Sequence, residues 1–157
     1  DIPIYLGANT GHGKRGHPQL ERDQQNKTAF LLAHFFPDRM SGQLLSAPIV
    51  EHSFVDSALE VTVRFPVGSE AESGRIWWMF DRASDGSPGY LSEPIPDDNW
   101  AEMIFDRGRG VWVAQIELNP VADRSDFFSN HRKTVHHQGS TYATYLSCPY
   151  TRVALKR

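Results

Sequence analysis

The chain has 157 residues, a formal net charge of −3 and one cysteine, Cys148. That length holds one domain, or one domain with a short appended segment. The charge excludes a broad electrostatic footprint for nucleic acid, and a lone cysteine excludes an internal disulfide or a cysteine metal cage. No apolar run is long enough to span a membrane, and the opening Asp1-Ile2-Pro3-Ile4 carries no leader pattern.

Pro3 to Leu6 is a short apolar stretch suited to a buried strand. Residues 7–16 hold four glycines, at 7, 11, 13 and 16, which permit tight backbone turns. Pro18 then suits the first position of a helix, with Glu21 and Asp23 where the helix dipole favours acids. Leu31 and Phe35 are four apart and share a face, and Pro37 ends the helix. Its first half, Glu21 to Lys27, is polar and is expected to run over solvent. Apolar residues gather at the far end, from Ala29 to Phe36.

After Ser41-Gly42 the hydrophobic period changes from 3.6 to 2. Leu59, Val61, Val63 and Phe65 alternate with Glu60, Thr62 and Arg64, a strand with one wet face. Further strands are expected over 47–55, 75–81, 100–105, 111–118, 142–147 and 150–155. A Gly-, Ser- and Pro-rich loop is expected over 83–99, and a long loop over 119–141. Lys14-Arg15 and Arg132-Lys133 read as solvated loop pairs. About seven short strands without helical period after residue 40 suit an immunoglobulin-like or fibronectin-like β-sandwich. The chain thus reads as mainly β with one N-terminal helix. It divides into a strand-loop-helix segment, 1–42, and a β-sandwich, 43–157.

The chemistry concentrates at two places. The first is Asn9-Thr10-Gly11-His12-Gly13, a glycine-bracketed histidine between a strand and a helix. In a Ser-His-acid hydrolase the base sits on such a loop, third in the order Ser, acid, His. Residues 4–36 resemble the last strand, histidine loop and final helix of α/β-hydrolases, particularly esterase or peptidase-like members. The resemblance implies that His12 is a catalytic base; the competing reading is a loop histidine used for backbone hydrogen bonds or ligand contact. The chain begins only a few residues upstream, contains no G-x-S-x-G, and has only Gly86-Ser87-Pro88-Gly89 as a near match without the required spacing. A base without its nucleophile performs no triad chemistry, so this polypeptide alone is expected to be inactive as an esterase.

The second place is the tryptophan set. Trp77 and Trp78 are adjacent in a strand and point to opposite faces. One belongs to the core. The other lies beneath the 83–99 loop or opens to a ligand, since exposed tryptophan on a β-sandwich is a platform for sugar rings. Trp77, Trp78 and Trp100 are therefore the candidate ligand-binding residues. The run Arg75 to Asp81, then Trp100, then Gly110 to Ala114, then Tyr142 to Leu155 is similar to the β-sandwich that follows the hydrolase domain in PhoPQ-activated pathogenicity-related proteins. That resemblance implies an accessory region of a larger bacterial hydrolase, in an extracytoplasmic setting, with the rest of the hydrolase or another chain as partner. The alternative is a stand-alone carbohydrate- or protein-binding module, with polysaccharide as the ligand.

No metal or cofactor is expected. His12 and His17 lack an acidic companion, His136-His137 are adjacent in sequence, and Asp81, Asp85, Asp97, Asp98 and Asp106 do not follow the EF-hand pattern. Turn chemistry accounts for those aspartates. Cys148, before Pro149 in a strand-like stretch, reads as a small core residue.

Overall fold

The computed structural model describes residues 5–6, 18–82 and 95–155. Within them the chain is mainly β, with one helix and two antiparallel sheets. Helix α1 (Pro18–Phe35) and a 3-10 turn (Pro37–Arg39) come first. Then follow β1 (Met40–Ser41), β2 (Ile49–Val55), β3 (Ala58–Arg64), β4 (Ser73–Phe80), β5 (Trp100–Glu102), β6 (Ile104–Asp106), β7 (Val111–Glu117), β8 (Arg124–His137), β9 (Ser140–Ser147) and β10 (Thr151–Ala154).

One sheet has the order β2-β3-β7-β6. The other is organised along the 14-residue β8. β4 and β1 pair along one edge of β8, β10 and β9 along the other, and β5 extends the sheet beyond β4. Alternation places Leu59, Val61 and Val63 of β3, and Trp112, Ala114 and Ile116 of β7, on one side. There they meet Ile76, Phe127 and Val153 of the opposite sheet in a common core. Each such side chain contributes about 1.5–3 kcal/mol on full burial, which makes the strand alternation the main stabilising pattern of the sandwich.

The single strand expected over 100–105 is two strands in different sheets. Between β5 and β6 the chain turns at Met103, whose N–H donates to Gly74 O at 2.8 Å and whose side chain is buried in the core. A chain that changes sheets in this way forms a corner of the sandwich.

The loop expected over 119–141 is mostly the central strand β8 and its hairpin into β9. Polar composition there does not mean solvation. Ser125, Asp126, Ser129, Asn130 and His131 are all buried. Asp126, Ser129 and Asn130 are held by partners distant in sequence. The hairpin itself turns through Gln138 (φ 47°) and Gly139 (φ 82°). Two successive positive φ values match the twist of the flanking strands.

Helix α1 also departs from expectation. Its polar half does not simply face water: it closes the open edge of β9. Asn26 Oδ1 accepts from Tyr145 N at 2.7 Å, Asn26 Nδ2 donates to Tyr145 O at 2.9 Å, and Gln25 Oε1 accepts from Ala143 N at 3.1 Å. An uncovered strand edge is a template for unwanted pairing, and two amide side chains satisfy it here. Asn26→Ala removes both Tyr145 contacts and is expected to lower stability by about 1–2 kcal/mol. Amide exchange at Tyr145 should accelerate while the β3–β7 amides stay protected; unchanged exchange at Tyr145 contradicts the capping role. The apolar end of the helix is the more exposed part, with Phe30, Leu31, Phe35 and Phe36 all substantially accessible.

Candidate functional site

The outer face of the β8 sheet carries the candidate site. β4 turns Ile76, Trp78 and Phe80 toward the core between the sheets, so Arg75, Trp77 and Met79 lie on the other face, where Met79 is buried with Ile95, Phe128 and Cys148 in a second apolar cluster that Trp77 packs against. Antiparallel register sets Arg75 opposite Glu102 and Trp77 opposite Trp100 on one side, and Trp77 opposite Phe128 on the other. Directly opposed side chains on one face are in contact range. Trp77 stacks on Phe128 with ring centroids 5.6 Å apart and planes 16° from parallel. The Arg75 guanidinium lies 4.2 Å from the centre of the Trp100 ring and 5.8 Å from that of Trp77. Glu102 accepts from Arg75 Nε at 2.9 Å and pairs with the same guanidinium through Nη2. Both partners are well exposed, so the ion pair orients Arg75 more than it stabilises the fold.

Tyr5 and Leu6 cross this face from the far end of the chain. Leu6 N donates to Ser147 Oγ at 2.7 Å, and Asn130 Nδ2 donates to Leu6 O at 2.9 Å. Asn130 and Ser147 are also hydrogen-bonded to each other. Tyr5 packs 5.6 Å from Tyr145, and Arg22 of α1 stands over Tyr145 at 5.5 Å. Burial pushes the Tyr5 phenol above its ordinary value, and Arg22 offsets part of that rise.

Between these groups is a cleft of about 330 Å³, lined among others by Tyr5, Arg22, Arg75, Trp77, Arg132 and Tyr145. Its size falls at the lower end of small-ligand pockets. A hollow of about 480 Å³ runs beside α1 near Leu44 and Leu45, and another of about 590 Å³ lies over β6 and β7. Neither combines an indole, two phenols and three guanidinium groups, so the outer-face cleft has the richest recognition chemistry of the three.

The structure brings Trp77 and Trp100 together and separates Trp78, which packs against the core between the sheets. Trp78 is thus the core member of the adjacent pair, and only Trp77 lines the cleft. Trp100 is one strand further out and covers Arg75. His12 lies outside the described residues, as does His17. Arg132, read from sequence as part of a solvated loop pair, is in β8 and lines the cleft. The alternation Phe128, Asn130, Arg132 in one strand was the available signal for it. Tyr5, Arg22 and Tyr145 were not singled out, because nothing local in sequence links them.

Cys148 is buried, accepts from Ser129 N at 2.9 Å, and has a thiol pKa raised by burial, which suits a packing role. Among the described residues no three His, Cys, Asp or Glu side chains gather as a metal-binding group. No described helix is long and apolar enough to cross a membrane. Comparison of the chain with protein-family models, with curated proteins and with solved structures found no match.

Proposed function

We propose that this chain is a non-catalytic accessory β-sandwich, of immunoglobulin-like or fibronectin-like type, that binds carbohydrate on the outer face of its β8 sheet. The observation that carries the reading is the cleft where Trp77, Tyr5 and Tyr145 stand beside Arg22, Arg75 and Arg132. Aromatic rings cover the apolar faces of sugars, and guanidinium groups donate to sugar oxygens in a fixed fork geometry.

The test is titration calorimetry of the whole chain against a panel of soluble polysaccharides. Saturable binding is expected, weakened at least tenfold by Trp77→Ala, about 1.4 kcal/mol. Trp100→Ala is expected to act less strongly, through the freed Arg75. Circular dichroism verifies that both variants remain folded. Equal affinity in a folded Trp77→Ala variant removes the cleft as the binding surface.

A second reading places the chain at the carboxyl end of an α/β-hydrolase, with His12 as the base of a site completed by the rest of that enzyme. It rests on the resemblance of residues 4–36 and on the exposed apolar end of α1, where Phe30, Leu31 and Phe35 are each more than half accessible. Exposed apolar side chains at one end of a helix suit contact with another protein unit. On this reading the chain alone turns over no serine-type ester; hydrolysis by the purified chain overturns it.

A further inference from the structure

We infer that the outer-face cleft selects carboxylate-bearing sugars, so that its ligand is a polyuronate and not a neutral glycan. The inference rests on the carbohydrate reading above and goes beyond it in naming the chemical class. Three arginines and one carboxylate, Glu102, line the cleft; with Glu72, which pairs with Arg132 from beside it, the local charge is +1 in a chain whose formal net charge is −3. A neutral sugar gives no reason for that local reversal of sign.

The three guanidinium groups are differently committed. Arg75 is engaged by Glu102 and by two indole rings. Arg132 makes one contact with Glu72, at 3.3 Å, and that carboxylate also accepts from Thr134 N and Thr134 Oγ1. Arg22 neighbours Tyr145 and Tyr5, and among the described residues it has no carboxylate within ion-pair distance. Arg22 and Arg132 therefore retain donor capacity toward the cleft, which both line together with Tyr145. A carboxylate takes two parallel N–H donors from one guanidinium. The indole of Trp77 and the phenols of Tyr5 and Tyr145 supply the surface for the ring that carries it. Nucleic acid also joins anionic charge to flat rings, but the negative charge of the whole chain opposes a long polyanion track.

The experiment uses the full chain with polygalacturonate and alginate as probes. Fully methyl-esterified polygalacturonate and dextran are the neutral comparisons, and a single-stranded oligonucleotide is the other polyanion. Binding to at least one polyuronate is expected, at least tenfold weaker when its carboxyls are esterified, and weakened similarly by Arg22→Gln or Arg132→Gln. Arg22 is only partly buried, on a helix outside the core, so its variant keeps the test open even if that of Arg132 does not fold. Equal binding of esterified and free polymer, or an unchanged Arg22→Gln variant, overturns the selectivity while leaving carbohydrate binding standing. Binding of the oligonucleotide as tight as that of the polyuronates overturns it in favour of a general anion surface. Failure of every glycan overturns both the inference and the reading beneath it.

Discussion

Replacing Arg152 with methionine is expected to lower the stability of the chain by about 3–5 kcal/mol. Asp126 of β8 is 2% exposed and its carboxylate has three donors. Arg152 Nε and Nη2 donate to its two oxygens at 2.6 and 2.7 Å, and the Tyr150 hydroxyl donates at 2.7 Å. The Arg152 pKa is raised mainly by those hydrogen bonds. Methionine keeps much of the aliphatic stem but leaves a buried carboxylate with Tyr150 as its remaining side-chain donor. The opposite change is milder because the side chain of Arg152 is nearly half exposed. In Asp126→Asn the arginine turns to water and the new amide oxygen still accepts from Tyr150, so the loss is expected to be about 1–3 kcal/mol. Urea unfolding of both variants measures the asymmetry. Joint replacement by Asp126→Leu and Arg152→Met should recover part of the loss, because no uncompensated charge remains. An Arg152→Met variant as stable as the parent chain contradicts the argument.

The same strand shows where the sequence was and was not informative. The β3 alternation was legible because Leu59, Val61 and Val63 all point into the core on one side, while the opposite side keeps polar residues although only Arg64 is well exposed there, Glu60 being partly covered and Thr62 buried. β8 was not legible. Its polar residues are matched by groups far along the chain: Asp126 by Arg152, Asn130 by Ser147 and Leu6, Ser129 by Cys148. A local window contains the buried polar group and not its partner, so a central strand resembles a loop. The same holds for α1, whose Gln25 and Asn26 are polar because they complete β9, some 118 residues away. At the cleft, the opposite orientation of Trp77 and Trp78 followed from their adjacency alone. The pairing of Trp77 with Trp100 required the sheet register. Tyr5 and Tyr145 meet only because the chain folds its first described residues over its last long strand.

Lowering the pH from 6.5 to 4.5 is expected to cost the folded chain about 2–3 kcal/mol through His131 alone, with a slope approaching about 1.4 kcal/mol per pH unit. His131 is fully buried on the core side of β8, with Phe65 and Trp112 rings at 4.9 and 5.9 Å and Ser129 Oγ 2.9 Å from Nε2. Gly74 provides the space: a Cβ there would stand 2.7 Å from His131 Cε1. Burial away from water disfavours the imidazolium and lowers the pKa to about 3, a backbone contact from Ser73 offsetting a small part. Above pH 6.5 the imidazole is neutral in both folded and unfolded chains, and the stability is fully present. Between 6.5 and about 3 only the unfolded chain takes up the proton, so unfolding is favoured as pH falls. Glu70 and Glu72 also have lowered pKa values, so their stabilisation begins to be lost as pH nears their ordinary value of 4.5, at the acid end of this window and equally in parent and His131→Leu chains. Urea titrations at about pH 7, 5.5 and 4.5 measure the slope. His131→Leu loses the Ser129 hydrogen bond and should be less stable near neutral pH, yet its stability should be much flatter across the window. Parallel slopes in parent and variant would show that another group carries the acid sensitivity.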